Sequence, residues 1–343
     1  MDLSEGKWQT LSIIVLTYNR KQLLVGCLDS LFCQTYPREK LEIIVVDDGS
    51  SDGTSELVNK LANSHRHLKY VYQSHKGIPA ARNNGIKHAA GAIIAIVADD
   101  YLLPPNYSET IANFFHDYPQ AKVVRFRMVS AGHDFFSQAC HLYYEVSIRN
   151  RLRFEEGPGS GSLGTRFKRS FLKIQLPEEK ITTQHTLEAA GAAAFRREVF
   201  DEVGFFDEGL RRGEDSDMTL RMKKKGILVY YNPYLCFQHR YGSSLFGMVK
   251  KNFYTGIYRY QFRKRYQRKH VPFFPKIVNY IGGLILIPVW RARQADSFLN
   301  FFLYLPFMYL FELALFCGLF SGFLMSRLGR YKSFDRSFVK GHK

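Results

Sequence analysis

The feature that most constrains the fold is an apolar run, Ala92 to Val97, which ends at two adjacent carboxylates, Asp99 and Asp100. Small and β-branched apolar residues over this length predict a strand that is buried on both faces. Because an unpaired carboxylate is costly to bury, the pair is expected at the open end of the strand, where ligands bind in open α/β sheets. The alternative, a helix N-cap, would need only one aspartate.

Two other apolar runs end in polar loops in the same way. Residues 11–16 lead into the loop TYNR (17–20), and residues 42–46 lead into DDGSSDGT (47–54). Helical spacing follows each loop, and a further strand is predicted at 68–72. This alternation predicts an α/β fold in which a mostly parallel sheet is flanked by helices.

The formal charge of +17 is concentrated in one part of the chain. From Lys250 onward there are 17 Lys and Arg against 3 Asp and Glu, whereas residues 1–249 hold 31 against 28. Basic residues that flank apolar segments are typical of a cytoplasmic membrane face. The charge therefore favours an anionic membrane surface as a partner and argues against nucleic acid.

The cysteines and the N-terminus indicate a reducing compartment. The five cysteines are scattered and contain no CxxC pair, which argues against a disulfide framework and against a zinc site. Residues 1–10 are polar and lack the pattern of a signal peptide. We expect the catalytic part in the cytoplasm, at the inner face of the cell membrane.

The C-terminal third departs from a soluble enzyme. Residues 250–270 predict a basic amphipathic linker, residues 271–326 a hydrophobic helical hairpin, and residues 327–343 a basic tail. The segment from Phe298 to Met325 is long enough to span a bilayer. The charge bias places both ends of the hairpin in the cytosol. Interfacial or re-entrant helices and a buried soluble helix pair stay open as alternatives.

Several sequence blocks resemble the family 2 glycosyltransferases. They are SIIVLTYNR (12–20), EIIVVDDGSSDGT (42–54), GIPAARNNGI (77–86), the strand that ends in Asp99-Asp100, GAAAFRREVFDEVGFFDEGL (191–210) and RGEDSDMTLRMKKKG (212–226). The resemblance covers roughly residues 10 to 245 and implies a GT-A fold and a nucleotide-sugar donor. It divides the enzyme into a nucleotide-sugar-binding half, 11–128, and an acceptor-side half, 129–249.

The resemblance also implies roles for individual residues. Those expected at the nucleotide sugar are Thr17, Tyr18, Asn19, Asp48, Arg82 and Asp99. Asp100, with His239 nearby, is expected to bind Mg²⁺ or Mn²⁺, hard cations that prefer oxygen ligands and share them with phosphates. Many relatives have an aspartate at the position of Ala98, so this chain lacks an Asp-x-Asp pattern. Taken alone, Arg82 could be a solvated helix residue and His239 a core or surface histidine.

Asp215 matches the base of the family, which takes the proton of the acceptor hydroxyl during an inverting transfer. The alternative is an acidic helix start, since Glu214, Asp215 and Asp217 precede a basic stretch. That alternative explains Asp217 well, and we favour the catalytic role for Asp215.

The resulting hypothesis is a membrane-attached inverting glycosyltransferase that acts on a lipid-linked or cell-envelope glycan. A nucleotidyltransferase that forms sugar nucleotides shares the layered fold, but it should carry a Gly-rich, Arg-containing loop after the first strand. A catalytically inactive binding protein is the other alternative. A glycine-rich loop at 157–164 has no Lys-Ser or Lys-Thr after it, which excludes a P-loop.

Overall fold

The structure is a computed structural model, and it describes residues 8–144, 181–184, 187, 190–210, 212–241, 244–266, 287–289, 291–293, 295 and 297–328. The predicted glycine-rich loop at 157–164, the first helix of the predicted hairpin up to residue 286, and the basic tail beyond residue 328 lie outside these residues.

Within this part of the chain, nine strands form one sheet in the order β3-β2-β1-β4-β8-β6-β9-β5, and β7 pairs with β9. The strands are β1 (Leu11–Thr17), β2 (Leu41–Asp47), β3 (Leu68–Tyr72), β4 (Ile93–Ala98), β5 (Tyr101–Leu102), β6 (Val123–Ser130), β7 (Thr182–Gln184), β8 (Ala192–Arg196) and β9 (Val229–His239).

The helices alternate with the strands through the first half and dominate the C-terminal part. They are α1 (Lys21–Phe32), a 3-10 turn (Arg38–Lys40), α2 (Thr54–Ser64), α3 (Ile78–His88), α4 (Tyr107–Asp117), α5 (135–144), α6 (Glu198–Val203), α7 (Glu214–Lys224), α8 (Leu245–Tyr266) and α9 (Phe298–Arg327).

The predicted α/β fold is confirmed, and its main parallel part is the block β3-β2-β1-β4; β6 and β9 also pair in parallel. Strands β1 and β2 pair in parallel register up to Thr17 and Asp47, and β1 pairs with β4 up to Leu16 and Ala98. The three strands therefore end together, and the residues that follow them emerge at one edge of the sheet. Strand β8 is antiparallel to both β4 and β6, so the complete sheet is mixed.

Helices cover both faces of this sheet because successive side chains of a strand point to opposite faces. On β1, Ile13 and Val15 pack into one core with Leu24 and Leu28 of α1. Ile14 packs into the other core, which also contains the α3, α6 and α7 side chains Ala81, Phe200 and Met218. The central strands are apolar throughout because both of their faces are buried.

The second half of the sheet carries a histidine to the same edge. Strand β9 runs parallel to β6 with an irregularity between Phe126 and Arg127, and it ends beside β5, where Tyr101 lies opposite His239. This short antiparallel pairing places His239 beside Tyr101, the residue that directly follows the Asp99-Asp100 pair.

The chain divides into two compact units. Met1–His133 with Leu176–Tyr241 forms the first, which contains the sheet, and Asp134–Gln175 with Gly242–Lys343 forms the second. In the second unit, α8 packs against α9. Over the described residues, α9 is the one helix that is long and apolar enough to cross a membrane, with a mean hydropathy of 1.8.

The close packing of α3 on the sheet can be tested at Gly85. A methyl group there would lie 2.4 Å from Cγ2 of Ile14, closer than side chains approach each other. Gly85→Ala should cost about 1–3 kcal/mol by overpacking, of which the better helix propensity of alanine returns at most about 1 kcal/mol. Denaturant unfolding of the purified protein measures the change.

Gly191→Ala is the matched control, because its methyl would meet the Tyr101 hydroxyl at 3.6 Å, an ordinary contact. Equal free energies of unfolding for the two variants would contradict the close approach at Gly85.

Candidate active site

The Asp99-Asp100 pair is buried at the edge where β1, β2 and β4 end. Asp99 is 2% exposed and Asp100 is 8% exposed. The Thr17 hydroxyl donates to Oδ2 of Asp99 at 2.9 Å. The guanidinium of Arg20 bridges the two acids, from Nη1 to Oδ1 of Asp99 and from Nη2 to Oδ2 of Asp100, both at 2.7 Å. The loop after β1 thus supplies a cation that contacts both acids.

His239 completes this cluster from the end of β9. Its Nε2 lies 3.3 Å from Oδ2 of Asp100. Oδ1 of Asp100 and Nδ1 of His239 are buried, and neither has a hydrogen-bond partner among the described residues. Buried polar atoms are nearly always satisfied in proteins, so two such atoms on adjacent side chains indicate a place for a ligand.

The two acids are expected to titrate differently. Burial raises the pKa of Asp99 to about 7, against the lowering effect of Arg20, and the charge of Asp100 raises it further. Burial also disfavours the ionised form of Asp100, but the hydrogen bond and charge of His239, together with Arg20, outweigh it and hold the pKa of Asp100 well below its ordinary value. Asp100 is therefore the carboxylate that stays charged.

Asp48 holds the loop between β3 and α3. Its Oδ1 accepts from the side chain of Gln73 at 2.7 Å and from the backbone N–H of Lys76 at 2.8 Å. Its Oδ2 accepts from the N–H of Gly77 at 2.9 Å and lies 2.8 Å from Nδ1 of His75. Both carboxylate oxygens are occupied by protein donors, so Asp48 shapes the loop that leads into α3.

Tyr18 and Asn19 line the same region. The ring of Tyr18 stacks on His75 with centroids 4.2 Å apart. Asn19 adopts a left-handed conformation, with φ of 51°, and its side-chain oxygen accepts from the N–H of Ser51 at 2.7 Å. The loops after β1 and β2 are thereby tied together beside a stacked pair of flat rings.

Arg82 and Asp215 form a second charged cluster. Arg82 is buried in α3, and its Nη1 donates to Oδ1 of Asp215 at 2.7 Å and to Oε1 of Glu214 at 2.9 Å. Burial raises the pKa of Glu214, and the charge of Asp215 adds to the effect. The side chain of Asp215 is 24% exposed and that of Glu214 is 10% exposed, so Asp215 is the acid that solvent or a ligand reaches more readily.

The charges of both clusters affect the pKa of the Tyr101 phenol. Burial raises its pKa well above the ordinary value, and the charges of Asp100 and Asp215 raise it further while that of Arg82 lowers it. The ring of Tyr101 also lies 5.2 Å from that of His239, so this side chain packs directly against the Asp100 cluster.

The predicted site residues therefore divide into three groups. Thr17, Asp99, Asp100 and His239 come together around Arg20; Arg82 meets Asp215; and Tyr18, Asn19 and Asp48 belong to the loops beside His75. No three His, Cys, Asp or Glu side chains among the described residues form a ready metal centre.

The sequence interpretation assigned no role to Arg20 or Glu214, although both make direct contacts in these clusters. One signal in the sequence could have indicated the role of Arg20. It is the one cation in the loop after β1, and that loop lies next to the two acids after β4 if β1 and β4 are parallel neighbours. Glu214 lies next to Asp215 at the start of a helix. From the sequence alone, it could either cap that helix or pair with Arg82.

Comparison with known proteins identifies the family to which the chain belongs. Residues 12–204, more than half of the chain, match the sequence model described as glycosyl transferase family 2. The glycosyltransferase AglE of Haloferax volcanii is 38% identical over 90 residues, which cover 26% of this chain and 30% of that protein. The uncharacterized glycosyltransferase EpsJ of Bacillus subtilis is 27% identical over 235 residues, 64% of this chain and 60% of EpsJ. Both matches span less than two thirds of the relative.

A solved structure shows the same fold. The mannosyltransferase PcManGT from Pyrobaculum calidifontis, in complex with GDP-Man and Mn²⁺, superposes with a TM-score of 0.56 at 20% identity, covering 92% of this chain and 87% of that one. At this identity the likeness concerns the GT-A fold alone. The match over residues 12–204 includes Arg20, Arg82 and the Asp99-Asp100 pair but not Glu214, Asp215 or His239. Because it covers more than half of the chain, it shows that the chain belongs to glycosyl transferase family 2.

Proposed function

We propose that this chain is a metal-dependent inverting glycosyltransferase that moves a sugar from a nucleotide-sugar donor to a lipid-linked or cell-envelope glycan acceptor at the cytoplasmic face of the membrane. The observation that carries the proposal is the buried, unpartnered Oδ1 of Asp100 beside His239, at the edge where the parallel strands end. Family membership supports this reading over a nucleotidyltransferase.

The donor side is formed by the loops after β1, β2 and β3. The stacked rings of Tyr18 and His75 offer a flat surface for a nucleobase, and Asp99 with Thr17 offers polar atoms for a ribose. Arg82 is a planar donor suited to a diphosphate, and its Nε has no hydrogen-bond partner among the described residues.

The residues at Asp100 fit a divalent cation. The unpartnered Oδ1 of Asp100 and Nδ1 of His239 are the two buried atoms that lack protein partners in this cluster. Mg²⁺ and Mn²⁺ are often held by one or two protein ligands together with substrate phosphates, which agrees with the absence of a complete ligand set among the described residues. When bound, such an ion neutralises charge on the leaving diphosphate. PcManGT, which shares the fold, was solved with Mn²⁺ and GDP-Man.

Asp215 is the residue that we propose as the general base. Its partly exposed carboxylate can accept the proton of an acceptor hydroxyl, while Glu214 and Arg82 hold the start of α7 in position. Attack from the side opposite the leaving diphosphate inverts the anomeric carbon.

A donor screen tests the proposal as a whole. The detergent-extracted protein is incubated with individual nucleotide sugars, and release of nucleoside diphosphate is followed with Mn²⁺, with Mg²⁺ and with EDTA. Release from at least one donor that stops with EDTA is expected. No release with any donor, with or without a glycan or lipid-linked acceptor, would favour the inactive binding protein.

Asp215→Asn should abolish transfer while leaving donor affinity unchanged, because the amide cannot take a proton. The expected loss of turnover is about 10²- to 10⁴-fold. Turnover and donor binding are measured on the same preparation. Asp217→Asn is the control, since Asp217 lies on the same helix and pairs with Arg221; equal losses in both variants would remove the role of Asp215 as base.

Asp100→Asn should weaken Mn²⁺ binding about 10-fold or more, because a charged ligand is replaced by a neutral one. Titration of Mn²⁺ by electron paramagnetic resonance, with nucleoside diphosphate present, measures this without turnover. The exposed Asp117 at the end of α4 supplies the control, Asp117→Asn. Unchanged Mn²⁺ affinity in Asp100→Asn would refute the metal assignment.

The raised pKa of Asp99 predicts a pH-dependent contribution to stability. The folded protein keeps a proton on Asp99 up to about pH 7, whereas the unfolded chain loses it near pH 4. The contribution of this group is therefore full below about pH 4 and is lost as the pH rises toward 7. Asp99→Asn, which does not titrate, should lose less stability between pH 5 and pH 8 than the unmodified protein does.

Denaturant unfolding at both pH values measures this difference, and Asp29→Asn on the exposed face of α1 serves as the control. The same pH dependence in Asp99→Asn as in the unmodified protein would contradict the shift.

A further inference from the structure

Helix α9 carries a continuous apolar stripe on its exposed face. Its members recur every three or four residues, so they form one face of the helix: Phe302, Pro306, Tyr309, Leu313, Cys317, Phe320 and Leu324. Leu313, near the middle of the helix, is 51% exposed. An exposed apolar surface of this length is typical of a site that meets another apolar phase.

The opposite face of α9 packs directly on α8. A methyl group on Gly318 would lie 1.8 Å from the carbonyl oxygen of Phe253, and one on Gly256 would lie 2.1 Å from that of Leu315. Farther along, Tyr260 contacts Phe323, and the Lys264 ammonium donates to Ser326. Residue numbers rise together along the contact, so the two helices run parallel and in close contact.

Charged side chains lie level with the middle of α9. Glu312, at its midpoint, forms a buried ion pair with Arg291, whose guanidinium also lies 3.9 Å from the centroid of the Tyr143 ring. Lys250 of α8 borders an apolar groove together with Leu313. Lys251 is also exposed on α8.

A second group of cations lies near the end of the pair. Arg263, Lys264 and Arg265 are exposed on the last turn of α8, about 20 Å along the axis from Lys250. About 20 residues of α9 would have to lie in the hydrocarbon for the helix to cross a bilayer. Every such placement carries the level of Glu312 and Lys250 into the hydrocarbon. Glu312 is paired with Arg291 inside the protein, but the exposed Lys250 would meet lipid there, where a charge costs about 2.5–3.5 kcal/mol or more.

We propose that the α8–α9 pair does not cross the membrane but lies in the plane of an anionic bilayer, with the apolar stripe of α9 in the outer hydrocarbon and the cations of α8 among the headgroups. The inference deepens the proposed membrane attachment and rests on it, but it does not depend on sugar transfer. Helices with one apolar and one basic side bind membranes in this way.

The groove beside the stripe fits this arrangement. It has a volume of about 440 Å³ and is lined mainly by apolar side chains from both helices, among them Phe253 of α8 and Leu313 of α9, with Lys250 at its border. Phe246, at its α8 end, is 76% exposed. A lipid chain can enter such a groove while Lys250 extends its ammonium toward a phosphate.

The first experiment determines on which side of the membrane each end of α9 lies. Single reporters, Ala295→Cys and Arg327→Cys, are introduced into the full chain after the exposed Cys33 and Cys317 are replaced by serine. A membrane-impermeant maleimide is added to inside-out and right-side-out vesicles from the expressing cells. An in-plane helix gives labelling of both reporters in inside-out vesicles alone, whereas labelling from opposite sides shows a spanning helix and overturns the proposal.

The second experiment asks what covers the stripe. A fluorophore on the native Cys317, with Cys33 replaced by serine, should be quenched by lipids brominated near the headgroup end of their chains. A fluorophore on Arg263→Cys in the Cys33→Ser, Cys317→Ser background should be quenched much less. Absence of quenching at Cys317 would mean that a second copy of the chain or another segment of it covers the stripe, and the proposal would fail.

Neither readout requires turnover. A protein that released no nucleoside diphosphate but showed both expected results would contradict the proposed function and leave the in-plane arrangement standing. An active enzyme whose two reporters were labelled from opposite sides of the membrane would support the proposed function and overturn the in-plane arrangement.

Discussion

The rest of the structure depends on the neutralisation of two adjacent buried acids, Asp99 and Asp100. Their partners come from distant parts of the chain: Arg20 follows β1, and His239 ends β9. An uncompensated carboxylate at this depth would cost several kcal/mol, so the loop after β1 and the last strand of the sheet must both be in place. Sheet topology and charge compensation therefore require each other, because the parallel register brings Thr17 and Ala98 to the same edge.

The same principle joins the two halves of the fold at α3. Arg82 reaches the start of α7 through Glu214 and Asp215, and the neighbouring Asn83 donates to the backbone oxygen of Phe206 at 2.8 Å and accepts from its N–H at 2.9 Å. Two consecutive polar residues of one helix thus fix the segment that leads to α7. The position of Asp215 is set by buried contacts and not by the exposed helix start alone.

The sequence predicted most of the parallel part of the sheet because its strands are buried on both faces and read as uninterrupted apolar runs. The antiparallel pairing of β8 with β4 and β6 was not predictable, since the alanine-rich strand Ala192–Arg196 carries little β-propensity and is held by its neighbours. The acids could be located from the ends of the strands, and their clustering at one edge followed from parallel pairing.

The partners of those acids could not be predicted in the same way. Which carboxylate a guanidinium meets depends on tertiary distances, so Arg20 looked like one loop residue among several. The contacts of Asp48 could not be predicted either. Both of its carboxylate oxygens accept hydrogen bonds from the Gln73–Gly77 loop, and no spacing of residues in the sequence indicates such contacts. The C-terminal helix shows a third limit of sequence-based prediction. Its length and hydropathy satisfy the criterion for a membrane span, whereas its packing on a basic helix and the charges beside its middle argue for a different placement.

In each acidic pair, one acid is more deeply buried and the other is more accessible to a ligand. Asp99 and Glu214 are buried with raised pKa values, and each holds one arm of an arginine contact. Asp100 keeps a low pKa and one unpartnered oxygen, and Asp215 keeps an exposed part of its carboxylate. In the Asp99-Asp100 pair the two pKa values are separated, which is the usual way in which one site assigns neighbouring acids different tasks. In each pair the deeper acid is held by an arginine, and the second acid, which contacts the same arginine, keeps an unpartnered or partly exposed oxygen that a ligand can reach.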